Sequence, residues 1–315
     1  MRLWPGTDRR SCCSPGALQR ARGTAAWLGL PHHLVDREAA FAAAVVEPFV
    51  ASYLAGETPN PCVGCNPMRL AALVTLADEL GLARVATGHY ARLVWRDGQP
   101  FVARGADRAK DQSYMLWAVP PEVLARLEFP LGGSSKAQTR AAAEAAGLPV
   151  AAEPESQEVC FAADGYRPFL EGRGVAAEPG DIVDGEGRVV GRHEGHWRYT
   201  VGQRRGLGVP GGPWFVQRVD PDRNVVVVGP REGLRRRGVL VRDVCDRGLA
   251  AALEKGLAVQ LRYRSPAVPV ETLEAAGDRL RVLLAGPFEG VAPGQSAVFY
   301  EGDVVVGGGV VSESD

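Results

Sequence analysis

Lysine is nearly missing from this chain: Lys110, Lys136 and Lys255 are three of 36 basic residues, and the rest are arginine. Coding composition accounts for that bias. The 37 acidic residues bring the net charge to −1, which excludes a uniformly basic nucleic-acid coat but not a local basic face. No apolar run approaches the roughly 18 residues of a membrane helix. The start, MRLWPGTDRRSCC, lacks the apolar core of a secretion signal, which points to the cytoplasm. Without such a signal, six cysteines (Cys12, Cys13, Cys62, Cys65, Cys160 and Cys245) do not make a disulfide framework. With 46% hydrophobic and 23% charged residues, the 315-residue chain has globular composition and exceeds one ordinary domain.

The first half reads as α/β. Ser14-Pro15 starts a helix whose apolar stripe is Leu18, Ala21, Ala25 and Leu28. A short strand over 33–36 precedes an Ala-rich helix from Arg37 to Leu54, bent at Pro48. A further helix, opening at Cys65-Asn66, carries Leu70, Leu73, Leu76 and Leu80, and RVATGHYARLVW reads as strand broken at Thr87–His89. Ser134 or Ser135 caps a helix ending at Gly147. Such alternation predicts a sheet wrapped by helices, with function at the strand ends. Beyond Gly180 the chain turns to short β-branched runs punctuated by Asp184-Gly185 and Gly277-Asp278, the pattern of one or two small β-barrels.

Chemistry concentrates in a few places. In TPNPCVGCN (58–66) two prolines stiffen the loop before a helix, and a cysteine at a helix N-terminus is favoured as thiolate. A zinc site there lacks a second C-x-x-C or H-x-H pair, so a reactive or redox thiol pair is the reading. Cys160, between Val159 and Phe161, fits a packed core, although its polar run-in Ser156-Gln157-Glu158 fits a loop at a cleft. Gly88 permits close backbone approach to a ligand, and Lys110–Tyr114 gathers polar groups at a helix start. From Gly187 to Arg218 six arginines face one acid, Glu194, among His193, His196, Trp197 and Tyr199. With the Gly-rich loop carrying Arg204 and Arg205, this suits phosphate contacts and base stacking. Arg235-Arg236-Arg237 is a second basic cluster.

These segments, in order, resemble one family: the bacterial tRNA-specific 2-thiouridylases, which thiolate the wobble uridine of certain tRNAs. TPNPCVGCN, VATGHYAR, KDQSYMLW, FPLG, SQEVCF, YTVGQRRGLG, LRYRSP and PGQSAVFYEG carry the likeness over nearly the whole chain. The resemblance implies an α/β N-terminal domain of the adenine nucleotide alpha hydrolase-like, N-type ATP pyrophosphatase class (1–165). A central β-rich tRNA-binding domain (166–235) and a C-terminal β-barrel (236–315) follow. It implies Cys65 as nucleophile and Cys160 as persulfide carrier, with a transient Cys65–Cys160 disulfide. ATP with Mg2+ would adenylate the base, Met1 and Gly88 contacting the nucleotide, with no protein-held metal. Asn60, Pro61 and Cys62 match the loop at the target base, though some members have an acid/base Asp where this chain has Cys62. His89, Lys110, Asp111, Gln112, Arg262, Tyr263 and Gln295 match tRNA contacts. A cysteine desulfurase or sulfur-relay protein would load the persulfide.

One departure stands out. The family's Ser-Gly-Gly-x-Asp-Ser loop, whose amides cradle pyrophosphate, does not occur in this sequence, and Met1–Trp4 resembles the family's second strand. The expectation is therefore a first domain lacking its first strand and loop. Two alternatives follow: a non-catalytic tRNA-binding protein, and an iron–sulfur cluster on Cys62, Cys65 and Cys160.

Overall fold

The fold was analysed in a computed structural model that describes residues 1–4, 14–148 and 159–314. The run-in Ser156–Glu158, Cys12 and Cys13 lie outside the described residues. Ser14 caps α1 (Pro15–Trp27) through its hydroxyl, with Pro15 in the first turn. The expected stripe on α1 is not buried; Trp27 and Leu28 are about half exposed. The Ala-rich segment forms α2 (Glu38–Phe41), a π-helical stretch (Ala42–Val46) and α3 (Glu47–Leu54), so the expected irregularity falls just before Pro48. Then come α4 (Pro61–Glu79), β1 (Val85–Ala86), β2 (Ala91–Arg96), β3 (Gln99–Arg104), α5 (Pro121–Leu124) and β4 (Leu127–Glu128). In α6 (Lys136–Ala145), Ser135 and Gln138 complete a reciprocal capping box.

Parallel pairing in this half is slight among the described residues. β1 pairs with β4, and Arg2 bridges Asp36 in parallel, where 33–36 was expected to form a strand. The hairpin β2–β3 does not join them. It extends the C-terminal sheet instead, through Ala103 against Val304, so the first segment contributes to the third. Val102 and Ala103 are buried there on opposite faces of β3, Ala103 in the barrel core and Val102 in the core around Tyr114 and Tyr300.

After α7 (Tyr166–Gly172), β5 (Gly180–Val183), β6 (Val189–His193), β7 (Phe215–Asp220) and β8 (Val225–Gly229) form a sheet of order β6-β5-β8-β7 over Ile182, Leu207, Val216, Val226 and Val228. The Asp184 side chain closes the β5–β6 turn by accepting from the Glu186 and Arg188 amides. β9 (Arg235–Asp246), α8 (Leu249–Leu253), β10 (Leu257–Gln260), β11 (Val268–Ala276), β12 (Arg279–Glu289), β13 (Ser296–Glu301) and β14 (Val304–Ser314) complete the chain. The six strands close into a barrel because β14 pairs with both β9 and β13. Gly277, at φ +68°, turns β11 into β12 as expected. Among the described residues no helix is long and apolar enough to cross a membrane.

Candidate functional site

Helix α4 begins four residues earlier than the sequence predicts. Asn60 caps it by accepting the Cys62 amide at 3.2 Å, and Pro61, with no N–H to lose, fills the first position. Cys62 therefore sits in the first turn and is exposed, while Cys65 lies one turn on and is half-buried. Spaced three apart, they share a helix face, and the helix N-terminal field acts more strongly on Cys62 than on Cys65. The Asn60 amide is used twice, since its Nδ2 also donates to the Met115 sulfur at 3.1 Å. Gly64 lets α4 approach the π-helical stretch; a Cβ there would stand 3.2 Å from the Ala44 carbonyl oxygen.

The inner side of this helix meets an aromatic cluster. Phe41, Phe49 and Phe161 pack edge-on at 5.1–5.6 Å, within a core that also holds Leu3, Tyr53 and Trp197. Met1, Cys65, Val159 and Cys160 pack against this same core from different stretches of sequence. Cys65 and Cys160, 95 residues apart in sequence, thus border one apolar wall. None of Cys62, Cys65, Cys160 and Cys245 forms a disulfide. Nor do the first three gather into a set of side chains able to hold a metal among the described residues, so the iron–sulfur alternative and the zinc reading find no ligand set.

His89 is 7% exposed and bonded on both ring nitrogens. Arg69 Nη2, which can only donate, lies 3.1 Å from Nε2; the proton therefore sits on Nδ1 and is donated to Thr87 Oγ1 at 2.8 Å. Burial, reinforced by the Arg69 charge, pushes its pKa down to about 4. Arg69 also donates to Asn66 Oδ1 at 2.9 Å, and Asn66 Nδ2 to the Met115 carbonyl at 2.8 Å. Helix α4 is thereby tied to the end of β1 and to the 110–117 segment. Gly88 stays exposed beside His89.

The 110–112 stretch is organised from within. Asp111 is 8% exposed; one carboxylate oxygen accepts from the Gly105 and Ser113 amides, the other from Ser113 Oγ and Arg104 Nη1. The Gln112 side chain accepts the Tyr90 amide at 3.0 Å. Lys110 is half-buried at the edge of this turn. Asp111 shares a cavity of about 380 Å3 with Arg104, Tyr114, Gln260, Tyr263 and Arg264. The structure thus brings the 110–112 and 262–263 segments together. Arg262 and Arg264 are exposed and have no acidic partner among the described residues; the Arg264 guanidinium lies 5.1 Å from the Tyr263 ring centre. Gln295, by contrast, directs its Nε2 into the protein, onto the Thr58 carbonyl oxygen at 2.7 Å.

Ion pairing sorts the arginines of the second half. Arg188, Arg192, Arg198 and Arg218 each have an acidic partner within 4.0 Å. Arg235 and Arg237 pair with Glu289 and Glu271 at the surface, and Arg236 bonds backbone carbonyls, so each arginine of that cluster already has a partner. Arg204 and Arg205 are exposed without an acidic partner among the described residues. Arg204 borders an open cleft of about 850 Å3, whose wall Trp214 is fixed by its N–H···O bond to Pro210.

Three domain families match the chain in order: the tRNA methyl transferase HUP domain over residues 1–164, the tRNA methyl transferase PRC-barrel domain over 167–230, and the aminomethyltransferase beta-barrel domain over 249–311. Similar curated proteins include the tRNA-specific 2-thiouridylase MnmA of Rhodospirillum centenum, 45% identical over 97% of this chain and 81% of that protein. The MnmA of Thermus thermophilus is 44% identical over 99% of this chain and 86% of that protein. The chain belongs to the tRNA-specific 2-thiouridylase family. A bifunctional NifU/MnmA protein of Rubrobacter xylanophilus is also similar, at 49% identity over 99% of this chain and 63% of its own length.

Within this 2-thiouridylase family member, sequence reasoning missed Arg69, Arg104, Met115, Arg264 and Trp214. Arg69 had a legible signal, being one helical turn beyond Cys65. Arg104 had none, because its partners Asp111 and Gln260 lie on separate segments of the chain.

Proposed function

We propose that this protein transfers sulfur to C2 of the wobble uridine of tRNA. The observation that supports the reading is the shared wall: Cys65 and Cys160 pack on the same aromatic core, beside a capped loop carrying Asn60, Pro61 and Cys62. Cys160 carries the sulfur as a persulfide received from a cysteine desulfurase or a sulfur-relay protein. ATP is a substrate that turns the uridine 2-oxygen into a leaving group. Exposed Gly88 and half-buried Met1 are the positions assigned to it, with its magnesium held by ATP. The terminal persulfide sulfur bonds to C2, the C2–O bond breaks, and Cys65 attacks the Cys160 sulfur to release the thiolated base. The resulting Cys65–Cys160 disulfide is reopened by a thiol reductant.

The apolar wall suits this work, since it keeps water from competing with the persulfide for the activated C2. For tRNA, we assign contacts to Arg204, Arg205, Arg262, Tyr263 and Lys110, all at or near the surface. Asp111, Gln112, Gln295 and His89 hold the segments that make contact. Cys62, exposed in the first turn of α4, is our candidate for moving protons at the base.

The test supplies the purified protein with tRNA, ATP, a thiol reductant and a persulfide donor, and measures 2-thiouridine by mass spectrometry of digested tRNA. ATP-dependent product is expected, with Cys160→Ser abolishing it while tRNA affinity stays unchanged. Tight tRNA binding without product in any condition would overturn the enzyme reading in favour of the non-catalytic binder. Lost tRNA binding in Cys160→Ser would remove Cys160 from the role of sulfur carrier.

A further inference from the structure

Between α3 and α4 the chain runs from Leu54 to Asn60 through a seam where the central domain and the barrel both reach it. From the central domain, His196 Nε2 lies 3.0 Å from the Leu54 carbonyl oxygen, and Thr200 Oγ1 lies 3.3 Å from Thr58 Oγ1. Gly56, at φ +72°, is so close to Val219 and Pro221 that an added Cβ would stand 3.2 Å from each.

The barrel holds the other side. Arg242 of β9 donates Nη1 and Nη2 to the two carboxylate oxygens of Glu57 at 2.9 and 3.0 Å, with side-chain exposures of 33% and 18%. The Thr58 amide donates to the Pro293 carbonyl at 2.7 Å, and Gln295 Nε2 donates to the Thr58 carbonyl at 2.7 Å. Gly294 is buried at φ +85°, and a Cβ there would meet Glu57 Cβ and Thr58 N at 2.9 Å. Thr58 thus has its amide, its carbonyl and its hydroxyl each matched to one of the two β domains. Two residues later Asn60 starts the helix that carries Cys62 and Cys65.

We propose that Arg242 is a positioning residue: through Glu57 the barrel fixes the loop that sets the start of α4, and thereby the placement of Cys62 and Cys65. A bidentate, half-buried guanidinium–carboxylate pair fixes direction as well as distance, which a lysine ammonium does not. The positioning role does not rest on the tRNA reading above.

The test compares wild type with Arg242→Ala, Arg242→Lys, Glu57→Gln and the reciprocal pair Glu57→Arg with Arg242→Glu. Iodoacetamide alkylation of Cys62 and Cys65 is followed peptide by peptide, beside tRNA affinity and the single-turnover thiolation rate. In Arg242→Ala and Glu57→Gln the two alkylation rates change about threefold or more, while Cys245 keeps its rate. Thiolation slows about tenfold with tRNA Kd within about twofold. Arg242→Lys restores part of the loss, as does the reciprocal pair, whose carboxylate at 242 is opposed by Asp243, 3.4 Å from Arg242 Nε. Unchanged alkylation of Cys62 and Cys65 in folded Arg242→Ala and Glu57→Gln would overturn the proposal. So would a loss falling on tRNA affinity with the rate constant intact. If wild type binds and thiolates no tRNA, the function proposed above fails, and the alkylation comparison alone still decides the positioning role.

Discussion

His89 shows what a single residue can hide. By position it looks like a polar group offered to a ligand, yet its ring is enclosed and its tautomer is dictated by Arg69. Its lowered pKa has a consequence for stability. Between pH 6.5 and about 4 the unfolded chain binds a proton that the folded chain refuses, so stability rises with pH across that window and is fully present above it. Going from pH 7 to pH 5, His89 costs about 2 kcal/mol of folding free energy. Urea denaturation of wild type and His89→Gln at both values checks this: the variant should show the smaller pH effect by that amount. Equal slopes would mean that the ring is protonated in the folded state. Motif order singled out Asp111 and Gln295 as candidates for a surface contact, whereas the inward bonds that the structure gives them were not legible. Gln295 reaches a backbone carbonyl 237 positions away, and Asp111 holds Gly105, Ser113 and Arg104 only once the turn after β3 has formed, so neither contact has a signal in the motif.

At the scale of elements, local chemistry was read well where the cue was local. Ser14-Pro15, the Ser135 capping box and the Gly277 turn fell where their side chains dictate. The start of α4 was misplaced because proline looked like a loop signal, when Asn60-Pro61 is a cap followed by its preferred first residue. Removing that cap by Asn60→Ala should cost about 1 kcal/mol in denaturant unfolding and change the alkylation rate of Cys62. Ser135→Ala on α6 is the control, with a comparable cost and no effect on Cys62. If both variants leave Cys62 alike, the cap does not govern the thiol's setting. The β2 part of RVATGHYARLVW was read as strand but given to the N-terminal sheet, and β3 was not read at all, since a strand pattern does not say which core will cover it.

Across the whole molecule, a net charge near zero conceals an uneven distribution of unpaired guanidinium groups. Arg204-Arg205 on the central domain and Arg262 with Arg264 on the barrel point outward without acidic partners among the described residues. Changing Arg204 and Arg205 together to Ala should weaken tRNA binding and reduce the slope of log K against log salt by about 2. A gel-shift series over salt measures it, and an unaltered slope would take both residues off the RNA surface. The attachment of β2–β3 to the barrel also has a consequence in time. Arg92 of the hairpin pairs with Asp303, 211 positions later, and β3 meets β14, which closes the barrel at the end of the chain. At ribosomal speeds of about 5–20 residues per second, the hairpin must wait on the order of 10–40 s with an open edge before its partner strand exists. Nascent chains are thus most prone to faulty strand pairing in that interval, and codons that slow synthesis after residue 104 prolong it.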